Sequence, residues 1–177
     1  MKIFLSDKES PVGKALAALA GSRGYALCGD GNPEDADIAF LCARRADPMT
    51  LEDGTLDRLM ATVDHHLKSA FFHSRRAAHA MMARGAGAIV FIGSGDADKP
   101  NGRAVGYSAA MGGIKLLFRD LCVYLSGTGV RVNLIEPAEV ADTDDPVHTA
   151  ELALSVAENV FISGCEIRTD AAHYQQK

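Results

Sequence analysis

Short apolar runs alternate with amphipathic stretches along this chain. Residues 2–6 (KIFLS) are apolar, DKESP reads as a turn, and Val12, Leu16, Leu19 and Ala20 recur at helical spacing until Gly21 and Gly24 stop the helix. Residues 24–30 (GYALCGD) and 37–43 (DIAFLCA) are predicted as two further buried strands, since each is a short apolar run bounded by turn residues, with only Gly31 to Ala36 between them. A long helix is expected over about 55–84, with Leu56, Met60, Val63, Leu67, Phe71, Ala78 and Met81 on or near one face. GAIVFIGS then reads as a strand, residues 95–106 as a loop, and 107–126 as a second long helix with Tyr107, Met111, Ile114, Leu117, Phe118, Leu121 and Leu125 on one side. VRVNLIEP is another strand, a helix near 149–160 follows a polar connection, and SGCEIRTD holds a last short strand. The pattern shows no internal repeat and predicts one α/β unit over residues 1–177, Rossmann-like, three layers deep, with a mostly parallel sheet.

At 177 residues a single domain buries about 70% of the surface its unfolded chain exposes, so no disulfide is required. Cys28, Cys42, Cys122 and Cys165 form no C-x-x-C pair and are expected to pack in the core of a protein in a reducing compartment. The start, MKIFLSDKES, lacks the basic and apolar segments of a signal peptide, and no run approaches the roughly 18 apolar residues of a membrane span, so a cytoplasmic location with no membrane partner is expected. The net charge is −5 and the basic residues are scattered, so nucleic acid is not an expected partner.

Two segments in a fixed order carry a resemblance. Residues 51–94, ending in GAIVFIGS, are similar to the central helix and serine-bearing strand of the short-chain dehydrogenase/reductase family, and residues 107–137, starting YSAAMGGIK, are similar to its YxxxK helix and the strand after it. Ser94 precedes Tyr107 by thirteen residues, the family's usual interval. The resemblance implies a tyrosine acid/base, a serine holding the substrate oxygen, and a lysine four residues after the tyrosine that binds the nicotinamide ribose and lowers the tyrosine pKa.

Several of these groups are replaced. The lysine position is Met111, and holding a free tyrosine of pKa about 10 as phenolate at pH 7 without a cation costs roughly 4 kcal/mol. Lys115 lies eight residues beyond Tyr107, about 12 Å further along a helix axis, and is not expected to take over. The family's TGxxxGxG loop aligns with Ser6-Asp7-Lys8-Glu9-Ser10-Pro11-Val12-Gly13, where only the last glycine survives and Pro11 has no N–H. A carboxylate about 4 Å from a phosphate charge repels it by roughly 4 kcal/mol at an effective dielectric of about 20, so Asp7 and Glu9 are expected to oppose a pyrophosphate. The family's NNAG is Leu41-Cys42-Ala43-Arg44, its helix asparagine is His66, its PG is Pro137-Ala138 and its terminal DGG is Asp170-Ala171-Ala172. The short connections also predict that the family's third strand and its substrate-covering helices are deleted.

Each candidate also has a plain structural reading. Ser94 and Tyr107 are read as vestigial, Asp30 as a solvated turn residue or a relic of a ribose-binding acid, and His65, His66, His73 and His79 as partly exposed helix residues with no metal-binding i, i+4 pair. His66 as a base is the rival reading at that position. The sequence therefore predicts no catalytic residue, no metal site and no cofactor in this chain. It predicts a structural subunit joined, as a two-plus-two heterotetramer, to an active, homologous, NAD-binding dehydrogenase through its two long helices and its last helix and strand, which the resemblance implies are interfaces. The alternatives are an active NAD(P)-dependent oxidoreductase using Ser94 and Tyr107, and a nucleotide or acyl-CoA sensor without chemistry.

Overall fold

The computed structural model describes residues 1–44, 47–100, 102–137 and 146–169. Its strands are β1 (Lys2–Leu5), β2 (Ala26–Leu27), β3 (Ile38–Cys42), β4 (Gly87–Ile92), β5 (Val130–Pro137) and β6 (Glu166–Thr169). They form one parallel sheet in the order β2-β1-β3-β4-β5-β6. The helices are α1 (Pro11–Ser22), α2 (Leu56–Val63), α3 (Ser69–Arg84), α4 (Val105–Tyr124) and α5 (Pro146–Glu158).

Successive strand residues point to opposite faces, and here both faces are covered, which is why the strands read as continuous apolar runs. Phe4, Ala39, Leu41, Ile89, Phe91, Val132 and Leu134 pack with Met81 of α3 and Ile114 and Phe118 of α4. Ile3, Ile38, Phe40, Val90, Ile92 and Ile135 pack with Leu16 of α1 and Leu154 of α5. The result is the expected three-layer, Rossmann-like α/β/α arrangement.

The expected deletion is present: only two short 3₁₀ turns, Gly29–Gly31 and Pro33–Asp35, join β2 to β3. This deletion corrects the reading of β2 as a buried strand. With no described strand beyond it, β2 is the edge of the sheet and keeps two residues, both exposed. The Asp30 side chain, residues 138–145 of the substrate region, Ala138 and the segment Asp170-Ala171-Ala172 lie outside what is described.

The first long helix departs from a single stripe. Between α2 and α3 the chain makes a π-turn over Asp64–Lys68, which interrupts the 3.6-residue period. Burial follows His66, Ala70, Ser74, Ala77 and Met81, whereas Leu56, Met60 and Phe71 are exposed. Among the cysteines, all free, Cys165 is exposed rather than in the core, while burial pushes the Cys42 thiol up to about 12.

An ion network around buried Lys115 and Glu136 ties α4 to the carboxyl end of β5 and the start of β6. Lys115 Nζ donates to Asp98 Oδ2 at 2.6 Å and to Glu136 Oε1 and Oε2 at 3.1 and 3.0 Å, with Glu166 Oε2 at 3.3 Å. Burial alone lowers the Lys115 pKa, but its bonds to Asp98 and Glu136 outweigh that and the net shift is upward. The Lys115 hydrogen bond depresses Asp98, and Arg119 depresses Glu166. Depressed carboxyls contribute stability that is present above their unfolded values and lost as pH falls through the folded ones. Urea unfolding is therefore expected to show these contributions disappearing below about pH 4. Lys115→Met, which leaves buried Glu136 without its closest cation, is expected to cost about 3 kcal/mol in the same assay at neutral pH.

Candidate functional site

In an open α/β sheet the ligand crevice lies outside the carboxyl ends of the strands, where strand order reverses. Here that point is between β1 and β3, flanked by β2 and β4. The loop after β1 and the segment after β3 meet there, and side chains bridge them. Ser6 Oγ accepts from Cys42 N at 2.9 Å, and the Arg44 guanidinium pairs with the Asp7 carboxylate.

The start of α1 is closed by the chain's own oxygens. Asp7 Oδ1 accepts from the amides of Glu9 and Ser10 at 3.1 and 3.2 Å, and Ser10 Oγ accepts from Gly13 N at 3.1 Å. Pro11 occupies the first helical turn and has no amide to offer. Burial raises the Asp7 pKa, but Arg44 and the two amides outweigh it and hold the carboxyl below its usual range. By its charge alone Asp7 repels phosphate. In the fold its carboxylate is also the acceptor for two amides of the loop that leads into α1. The surviving Gly13 has a packing reason of its own, since a Cβ there would lie 2.0 Å from Asp7 O. Asp7 and Pro11 thus stand where the resemblance implies glycines beside a pyrophosphate.

The structure brings Ser94, Tyr107 and Met111 to the same end of the sheet, all buried, with Tyr107 part of the apolar core between sheet and α4. Lys115, one turn beyond Met111, points into the carboxylate network. The long loop after β3 is strapped across the start of α4: Met49 N donates to Arg103 O at 2.8 Å and Val105 N to Met49 O at 2.9 Å. Met49 Cε packs so close to Gly106 that a Cβ there would lie 2.5 Å from it.

His66 corrects the expectation of a partly exposed histidine. The π-turn carries it inward, 8% exposed, with its ring edge-on to Tyr107 at 5.1 Å between centroids. Burial, with His65 and Arg44 nearby, pulls its pKa down to about 4. Sequence gave one signal for this residue, its alignment with the family's helix asparagine. His65 and His79 are exposed, and His73 is half-buried against Phe4. Among the described residues no three His, Cys, Asp or Glu side chains gather as a metal site, and no helix is long and apolar enough to cross a membrane. A larger concavity of about 1240 Å³ lies at the opposite, amino ends of β3, β4 and β5. Its Arg131 is spent on the carbonyls of Val156, Ala157, Asn159 and Ile162, which close the end of α5.

Comparison with known proteins agrees with this architecture. Residues 36–150 match the family model described as short chain dehydrogenase. The chain belongs to the short-chain dehydrogenase family. Within it, the chain is 30% identical over 163 residues, covering 81% of its own length and 69% of the other, to an inactive 2-(S)-hydroxypropyl-CoM dehydrogenase 2 of Xanthobacter autotrophicus. It is 39% identical over 101 residues to a galactitol 2-dehydrogenase of Cereibacter sphaeroides, covering 56% of this chain and only 39% of that protein's length. The fold superposes on acetoin dehydrogenase from Enterobacter cloacae with a TM-score of 0.84 at 17% identity, over 100% of this chain and 98% of that one. It also superposes on a short-chain dehydrogenase/reductase family oxidoreductase from Burkholderia thailandensis with a TM-score of 0.79 at 20% identity, over 96% and 90%.

Two measurements probe this short-chain dehydrogenase site. A histidine whose folded pKa is depressed stabilises the fold above its unfolded value of about 6.5, and that contribution is lost as pH falls. Unfolding free energy is thus expected to drop between pH 6.5 and 4, and His66→Gln to flatten that drop while His73, also lowered by burial, retains its share. Gly13→Ala is expected to lower stability by about 1–3 kcal/mol by urea unfolding, because the new methyl meets the backbone carbonyl of Asp7.

Proposed function

We propose that this chain is a catalytically inactive, structural member of the family that supports an active, NAD-binding homologue in a mixed oligomer, itself holding no cofactor. The observation that carries the reading is the loop into α1, where Asp7 takes the Glu9 and Ser10 amides and Ser10 takes the Gly13 amide in the stretch that aligns with the family's glycine loop. Support comes from buried Met111 at the lysine position and from a relative whose name calls it inactive. The partner argument rests on apolar area. Phe71 and Phe72 of α3 and Leu116, Val123 and Tyr124 of α4 are exposed, whereas Leu117 and Leu121 turn toward the core, so α4 carries a second apolar strip that the sheet does not cover. A homologue's helix pair matches such a strip in shape, and closed symmetry keeps the assembly when some copies lose chemistry. The most specific form of the reading is a likeness to the non-catalytic subunit of the two-subunit dehydrogenase for 2-[hydroxy(phenyl)methyl]succinyl-CoA in anaerobic toluene degradation, with acyl-CoA metabolism as the setting.

The His66 ring against Tyr107 favours a second reading, an active NAD(P)-dependent oxidoreductase using Ser94 and Tyr107. Three measurements separate the two. Co-expression with an intact homologous dehydrogenase of the same organism, followed by native mass measurement, is expected to give a two-plus-two complex; separate elution of the chains overturns the subunit reading. Titration of the isolated chain with NADH is expected to give a dissociation constant no tighter than millimolar, against micromolar for the enzyme reading. Tyr107→Phe is expected to leave the activity of the complex within about twofold, while a fall of about 100-fold makes this chain the enzyme.

A further inference from the structure

Beside His66 lies a cleft of about 420 Å³ that neither the subunit reading nor the family's tyrosine and glycine-loop positions assign. Its walls include Arg44, Asp47, Met49, Arg58, His65 and His66. That volume falls in the range of small-molecule pockets, which combine apolar walls with a few placed polar groups. Met49 supplies an apolar wall, and Asp47 is an exposed carboxylate. Arg44 and Arg58 bring two guanidinium groups to the lining beside the Asp47 carboxylate, and Asp7 and Asp53 balance the two arginines from outside it.

Both arginines are held in place with donors to spare. Arg44 commits Nε and Nη2 to Asp7, and its Nη1 bonds to no described residue. Arg58 commits Nη1 to Asp53 and Nη2 to Pro48 O at 2.6 Å, and its Nε bonds to no described residue. Its partner Asp53 is itself exposed, and such surface pairs are easily exchanged for a better acceptor. His66, more than nine-tenths buried as a residue, makes ring contacts with His65 and Tyr107 but no hydrogen bond to any described residue, and its ring nitrogens are not among the fully buried polar atoms, so they keep access to the cleft that the residue lines. Two guanidinium groups with donors to spare and an imidazole on the walls of one cavity can offer charge-assisted hydrogen bonds to a planar or tetrahedral oxyanion.

We propose that this cleft binds a small metabolite through a carboxylate or phosphate group, with Arg58 and Arg44 providing charge and His66 donating a hydrogen bond. The neutral imidazole has one N–H to donate, and the apolar wall at Met49 takes the body of the ligand. The site gives a chain without chemistry an input, and it stands whether or not the partner exists.

The test uses the isolated full chain and histidine NMR, titrating inorganic phosphate and, separately, succinate, with sodium chloride at matched ionic strength as control. The groups facing His66 are His65, Arg44, Asp47 and Asp7, with Tyr107 from α4. An anion seated among them favours the imidazolium. A saturable shift of the His66 resonances is expected, with its pKa rising from about 4. Arg58→Gln, an exposed change that leaves the core intact, is expected to weaken the saturating anion by about tenfold. Saturation by succinate alone assigns a carboxylate ligand and by phosphate alone a phosphate ligand. A response equal to that of chloride, or one unchanged by Arg58→Gln, overturns the proposal.

Discussion

Backbone amides at the start of a helix must find an acceptor, and here the chain supplies its own. Ser10 takes the Gly13 amide of α1, Asp7 takes the amides of Glu9 and Ser10 in the loop just before it, and Arg44 reaches across from the end of β3 to neutralise the carboxylate. A loop that leaves those amides open needs an external anion or water to complete it. A loop that fills them is complete when the protein folds. The switch-point crevice thereby becomes a bridge between β1 and β3, and Gly13 persists because the helix start packs directly on the Asp7 carbonyl.

The deletion after β2 acts on the sheet in the same direction. Without a further strand and its covering helix, β2 becomes the outer edge and keeps only two ladder positions on β1, Lys2 with Ala26 and Ile3 with Leu27. Weight shifts to the other side, where β4 and β5 pair over six positions and the Lys115 network ties α4, β5 and β6 together. What remains is a fold whose strongest half carries the long helices and whose weakest edge is where the family's adenine side stood.

Much of this was legible in the chain. The order of elements, the parallel sheet, the missing strand and the loss of charge at Met111 follow from apolar runs, turn residues and motif spacing. The failures share a cause, that periodicity reports which residues are apolar and not what covers them. Leu27 of β2 reads as core because nothing in its own run shows that its neighbour is gone. Leu56, Met60 and Phe71 read as one buried face because a π-turn leaves no mark in the sequence, and that turn also carries His66 inward. Asp7 was visible as a charge, but its role as an acceptor depends on the path of three residues after it. The Asp-x-x-Ser-Pro spacing, a turn acid followed by a capping serine, was the available sign.

The strap at Met49 turns access to Tyr107 into a question of kinetics. Two backbone hydrogen bonds hold that segment to the start of α4, and Tyr107 is buried one residue beyond the Gly106 on which Met49 packs, so solvent meets the phenol through local opening of the structure around it. Any small molecule that reacts there meets a rate set by opening, and its apparent affinity is reduced by the fraction of time the segment is detached. Amide exchange at Met49 and Val105 is thus a clock for the strap: slow exchange means a segment that stays docked on α4, and fast exchange means one that comes and goes.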